Sequence, residues 1–218
     1  MTRISIALLG LLLAAPLPAQ DAPTTDATTI DAPAALPRVL LQTSEGDMVL
    51  ELYPDKAPKT VANFLQYARE GFYAGTVFHR VIRGFLVQGG IYDRNLTERR
   101  TRPPIPVEAD NGLSNLRGTV AAARAPDVIQ SATAQFFINL VDNRRLDFVS
   151  DRSGLTAGYT VFGKVVEGMD VVDRIGALPT IPLGPFSGDV PKPLVVIESV
   201  KVLGDDAEPA ASSSAQTR

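Results

Sequence analysis

Residues 78–90 read FHRVIRGFLVQGG, from Phe78 to Gly90. Aromatic and β-branched residues dominate on both sides of Gly84. The run therefore reads as two strands, Val77 to Ile82 and Phe85 to Gln88, joined at a tight turn. Successive side chains on a strand point to opposite faces, which sets His79 and Arg80 on opposite sides. Phe85 and Gln88 follow on the second strand.

Outward from this pair, further strand-like runs are Val39 to Thr43, Met48 to Tyr53, Thr119 to Ala123, Gln135 to Leu140, Tyr159 to Val166 and Leu194 to Val202. The first two flank Ser44 to Asp47, a hairpin signal. Pro58 suits the first turn of a helix in which Val61, Phe64, Leu65 and Ala68 recur on one face, with Gly71 closing it. A second short helix fits Met169 to Ile175, ended by Gly176. Eight short strands and two helices predict a mainly β fold, a closed eight-stranded antiparallel barrel capped by the two helices. Ile91 to Arg117 has no regular pattern and reads as a long functional or disordered loop.

The ends differ from this unit. Arg3, the apolar run Ile4 to Ala15 and the small residues up to Ala19 read as a signal peptide (1–19), too short in its apolar part to span a bilayer. Residues 20–37, rich in Asp, Ala, Pro and Thr, read as a flexible linker, and 205–218 as a disordered tail of the same kind. The folded unit is then 38–204, exported to the periplasm and free of the membrane once the signal is removed.

Composition closes off several chemistries. The chain has 218 residues, no cysteine and a single histidine. Disulfides, thiolate metal sites, cysteine nucleophiles and zinc sites built on several histidines are excluded, and no cofactor is expected. A net charge of −3 argues against nucleic acid as a partner. A hydrolase built on Ser131 or Thr133 with His79 lacks a G-x-S-x-G elbow, and strand alternation turns His79 away from the face of Arg80.

Three more runs carry the assignment: NGLSNLRGTVAAAR (Asn111 to Arg124), SATAQFFIN (Ser131 to Asn139) and VFGKVVEGMD (Val161 to Asp170). With Phe78 to Gly90, in this order and spacing, the chain resembles the cyclophilin-type peptidyl-prolyl cis/trans isomerases of the bacterial periplasmic kind. The resemblance covers 38–204 and agrees with the barrel read above. It implies that Arg80 is the catalytic residue and that Phe85, Phe137 and Leu146 form the proline pocket, with Phe136 and Phe162 in the neighbouring wall and core. It also implies that Gln88 and Gln135 bind substrate backbone, and that Ala123, Arg124 and Tyr159 complete the substrate site. The implied partners are proline-containing polypeptides, unfolded exported proteins above all, met by a monomer that accelerates their folding. A proline-binding chaperone module with incidental catalysis is the alternative.

Three positions depart from the family pattern. Arg145 stands where an aromatic usually lines the pocket rim and helps bind the macrocycle cyclosporin. Tyr159 stands in place of a frequent histidine. Arg124 replaces an asparagine whose backbone contacts substrate, so the change of side chain should be harmless. His79 is expected to be buried and hydrogen-bonded.

Overall fold

The computed structural model describes residues 35–204. The expected signal peptide, nearly all of the linker and the tail lie outside them. In chain order the elements are β1 (Arg38–Thr43), β2 (Gly46–Leu52), α1 (Pro58–Arg69), β3 (Thr76–Ile82), β4 (Leu86–Asp93), β5 (Thr119–Ala122) and β6 (Phe136–Asn139). They continue with β7 (Val161–Glu167), α2 (Met169–Ala177), β8 (Thr180–Leu183), β9 (Phe186–Pro191) and β10 (Val195–Leu203).

Eight strands close into an antiparallel barrel in the order β1-β10-β3-β4-β6-β5-β7-β2, and β8 and β9 form a separate hairpin. Closure leaves no unpaired edge in the barrel, so backbone donors and acceptors are used around the whole ring. The predicted mainly β barrel with two helices is therefore what the chain adopts.

The interior is apolar. Leu41, Leu50, Phe78, Val81, Val87, Phe136, Ile138 and Phe162 point inward, joined by Val61, Phe64 and Leu65 of α1 and Val171, Val172 and Ile175 of α2. Phe64 is the hub of an aromatic cluster, with ring centroids 5.1 Å from Tyr73, 5.5 Å from Phe136 and 5.2 Å from Phe162. Such pairs add about 0.5–1.5 kcal/mol each beyond the area they bury. Helix α1 forms as its pattern predicts, with Pro58 in its first turn and Gly71 just past its C-cap.

Three details differ from the sequence reading. Helix α2 runs through Gly176 to Ala177. That glycine ends nothing. It lets the helix approach Leu140, whose Cδ1 would lie 2.7 Å from a β-carbon there. Strand β4 continues past Gln88 into the segment read as patternless, which is further tied down by the bridges Tyr92–Glu98 and Ile105–Ala132. The hairpin β8–β9 is absent from the sequence reading because Pro182, Pro185 and Pro191 interrupt any strand pattern, and proline cannot donate to a ladder.

Candidate active site

Arg80 owes its direction to an irregularity in β3. Phe78 pairs with Gly89 of β4, but Arg80 pairs with Gln88, so His79 is an extra residue on β3. A bulge of this kind breaks alternation. Regular alternation would put Arg80 on the same side as Phe78, inside the barrel. Instead Phe78 and Val81 point inward, while His79 and Arg80 both line a cavity of ≈ 460 Å³ outside the barrel interior. The expectation that His79 and Arg80 face opposite sides is thus overturned, because period-two alternation does not survive the inserted residue.

All nine residues singled out from the sequence line this one cavity: Arg80, Phe85, Gln88, Ala123, Arg124, Gln135, Phe137, Leu146 and Tyr159. Leu86, Tyr92, Pro126 and Phe186 line it too, and sequence reasoning missed them. Phe136 and Phe162 do not. Both are buried in the barrel interior.

One lobe of the cavity is an apolar slot. Phe137 packs with Leu86, Ala121, Ala123 and Val161 in a second core cluster, bordered by the half-buried Phe85, Leu146 and Tyr159. Phe137 and Tyr159 meet edge to face at 5.6 Å. Phe85 leaves a turn in which its N–H donates to the Ile82 carbonyl at 3.0 Å. Gly84 stands in that turn at φ +66°, where a side chain would be strained. The Asn143 amide donates to the Phe85 carbonyl at 2.9 Å, and the Asn115 amide to the Leu146 carbonyl at 3.2 Å.

Beneath Leu146 lies Asp147, which accepts from the Asn115 N–H at 2.7 Å, from the Asn115 amide at 3.1 Å and from the Ser114 hydroxyl. Burial pushes the Asp147 pKa up, but these hydrogen bonds and the nearby Arg144 charge outweigh it and hold it below the usual value. The slot is therefore fixed from behind by a connected polar network rather than by apolar packing alone.

The other lobe is polar and aromatic. The Arg80 guanidinium donates through Nη1 to Gln88 Oε1 at 3.2 Å, and Gln88 Nε2 donates to Gln135 Oε1 at 3.0 Å. Arg80 Nε lies 3.8 Å from Asp189 Oδ2 on β9. His79 is buried between Tyr92, at 4.6 Å, and Phe186, at 5.3 Å. Burial pushes its pKa down to about 4; the Val77 backbone works against that shift and the Arg80 charge adds to it. His79 is thus neutral near pH 7 and buried, as expected; Nδ1 has no partner at normal hydrogen-bond geometry, and its polar help comes from the nearby Val77 backbone. The hydrolase reading fails on other grounds than alternation. The Ser131 hydroxyl donates to the Val128 carbonyl at 2.6 Å and accepts from the Ala125 N–H at 2.8 Å, so it is engaged within its own loop.

The two arginine departures have distinct structural consequences. Arg124 is 8% exposed. Its guanidinium donates to the carbonyls of Gly158 (2.9 Å), Ala125 (3.0 Å), Pro126 (3.2 Å) and Gly154 (2.5 Å) and lies 4.6 Å from the Tyr159 ring centroid. The side chain staples the 124–126 segment to the 154–159 segment across the cavity wall, a structural role beyond the backbone contact that the resemblance implies. Arg145 places its guanidinium 4.5 Å from the centroid of Phe85, a cation–π contact with a ring that borders the slot, but Arg145 does not itself line the cavity.

Comparison with known proteins gives the same picture. Residues 38–202 match the family model described as cyclophilin type peptidyl-prolyl cis-trans isomerase/CLD. The chain is 53% identical over 164 residues to peptidyl-prolyl cis-trans isomerase B of Escherichia coli, covering 75% of this chain and 98% of that protein. It is 49% identical over 165 residues to peptidyl-prolyl cis-trans isomerase A of Dickeya dadantii, covering 76% and 84%. Its fold is similar to that of a Cryptosporidium parvum cyclophilin type isomerase solved in the presence of the dipeptide Ala-Pro, with a TM-score of 0.58, 24% identity and coverage of 76% and 98%. From the barrel, the match across the folded unit and these relatives, the chain belongs to the cyclophilin-type peptidyl-prolyl cis-trans isomerase family and is a peptidyl-prolyl isomerase.

Proposed function

We propose that the cavity is the isomerase active site, with Arg80 as the catalytic cation and the Phe85, Phe137 and Leu146 slot as the proline pocket. The peptide bond before proline rotates over a barrier of roughly 18–20 kcal/mol, because the twisted state loses amide resonance. No bond is made or broken, so neither nucleophile nor metal is needed. What is needed is an interaction stronger in the twisted state than in either planar one. A proline ring in the slot fixes one half of the amide. The Arg80 guanidinium then favours the charge distribution of the rotated state, and Gln88 and Gln135 hold the flanking backbone. A lowering of about 7 kcal/mol corresponds to an acceleration on the order of 10⁵-fold.

One observation carries this reading: the bulge at His79 turns Arg80 out of the core and into a cavity that also holds the apolar slot of Phe85, Phe137 and Leu146. The substrates are proline-containing polypeptides. The apolar run after Arg3 supports export, with residues 1–19 removed and residues 20–37 serving as a linker. On that reading the clients are unfolded exported proteins and the chain acts as a monomer in the periplasm. Titration of a short X-Pro peptide into the isotopically labelled protein tests the site. Resonances of Phe85, Ala123, Phe137 and the Arg80 side chain should shift together. Shifts confined to another face would refute the assignment. Mass spectrometry of the protein from a periplasmic fraction should find its N-terminus at Gln20; an intact Met1 there would refute the export reading.

A further inference from the structure

The Arg80 guanidinium meets different chemistry on two edges, a hydrogen bond on one and an ion-pair neighbour on the other. Nη1 donates to the neutral amide oxygen of Gln88, on the strand beside it. Nε faces a carboxylate, Asp189 Oδ2 at 3.8 Å, which comes from the hairpin outside the barrel. The hairpin is anchored where it can deliver that carboxylate. Phe186 stacks on His79, the bulged residue next to Arg80, at 5.3 Å, and Phe186 and Tyr92 meet edge to face at 4.9 Å.

Asp189 itself has φ +64°, one of two non-glycine residues with positive φ among the described residues. Aspartate and asparagine tolerate that left-handed region better than most side chains, and a strained backbone at a functional group is a reason to ask what it positions. Both partners are about half exposed, with side-chain exposures of 40% for Arg80 and 47% for Asp189. Such a pair adds little to stability. Its effect is therefore expected in the orientation of Arg80 rather than in the fold.

We propose that Asp189 is a positioning residue for the isomerase reaction: its carboxylate, carried by the β8–β9 hairpin, fixes the Nε edge of Arg80 so that the guanidinium faces the substrate amide. This rests on the reading of Arg80 as the catalytic cation. Without the carboxylate, Arg80 keeps its charge and its Gln88 contact but samples more rotamers, and fewer of them face the substrate. Precision of this kind matters because a transition-state contact loses much of its value when misplaced by about 1 Å.

The test is a double-mutant cycle in the full-length protein with Asp189→Asn, which keeps a side chain suited to the left-handed backbone and removes the charge. In the parent, Asp189→Asn should lower kcat/KM for a short X-Pro peptide by about 3–10-fold, chiefly through kcat, with an unchanged melting temperature. In an Arg80→Ala background the same substitution should change the rate by less than about 1.5-fold, because nothing remains for Asp189 to position. The ¹⁵Nε resonance of Arg80 should move in Asp189→Asn. An unchanged kcat/KM in the parent background, or an equal loss in both backgrounds, would overturn the proposal. A normal rate for Arg80→Ala alone would instead remove the reading of Arg80 on which it stands.

Discussion

His79 should make the protein lose stability in mild acid, and the size of the loss follows from its environment. The imidazole is buried against Tyr92 and Phe186 with no partner for Nδ1, and its pKa is lowered to about 4. In the unfolded chain an imidazole titrates near ~6.5. As pH falls, the unfolded state takes up its proton first, so the contribution is complete above about pH 6.5 and is lost between there and about pH 4. The linkage relation gives losses of about 0.8 kcal/mol at pH 6, about 2 kcal/mol at pH 5 and about 3 kcal/mol at pH 4. Asp147, with its lowered pKa, loses stability in the same direction but only in stronger acid. The window from pH 7 to pH 5 therefore isolates His79. Urea unfolding of the parent and of His79→Phe at both pH values reads the difference. Phenylalanine keeps a ring in the site and removes the titration. The parent should lose about 2 kcal/mol more than the variant between pH 7 and pH 5. Parallel losses in the two proteins would refute the assignment of His79 as the buried neutral group.

Other perturbations address the cavity wall, the helix packing and the charge over Phe85. Arg124→Met leaves four carbonyls without their guanidinium and should cost about 2–4 kcal/mol, read as a lowered melting temperature; an unchanged one would contradict the staple. Gly176→Ala gains up to about 1 kcal/mol of helix propensity but forces a β-carbon against Leu140, at a cost of about 1–3 kcal/mol, so thermal unfolding should show net destabilisation. Arg145→Trp replaces a charge over Phe85 with an apolar wall and should tighten cyclosporin inhibition by about tenfold, equivalent to ~1.4 kcal/mol, with catalysis changed only a few-fold. A parent already inhibited as tightly as the Trp variant would contradict it.

The sequence was informative where a local period governs the structure. In the strand-like run Gln135 to Leu140, period-two alternation sets Gln135 and Phe137 on one face and Phe136 and Ile138 on the other; the first two line the cavity and the second two face the interior. The 3.6-residue period of α1 named its buried face. It failed where pairing with another segment decides. The bulge at His79 depends on how β3 lies against β4, and alternation alone gave the wrong face. The hairpin β8–β9 has little apolar pattern of its own and is defined by mutual pairing, so Phe186 and Asp189 could not be placed beside Arg80. The Gly184–Pro185 pair was a readable turn signal there. The role of Arg124 was hidden for a related reason: its four acceptors are main-chain carbonyls, and no side chain in the sequence marks them as partners.

In the proposed mechanism one cation, turned into the cavity by the β3 bulge, favours the twisted amide. The direct measurement is kcat/KM of Arg80→Ala beside the parent, on a short X-Pro peptide, with the melting temperatures of both recorded. Arg80→Ala should lose on the order of 10²-fold or more, as for removal of one donor to a developing charge. Arg80→Lys should recover only part of it, since an ammonium lacks the planar fork. The melting temperature should be nearly unchanged, because the Arg80 side chain is 40% exposed and packs no core. Near-normal turnover in a well-folded Arg80→Ala protein would rule out Arg80 as the catalytic cation.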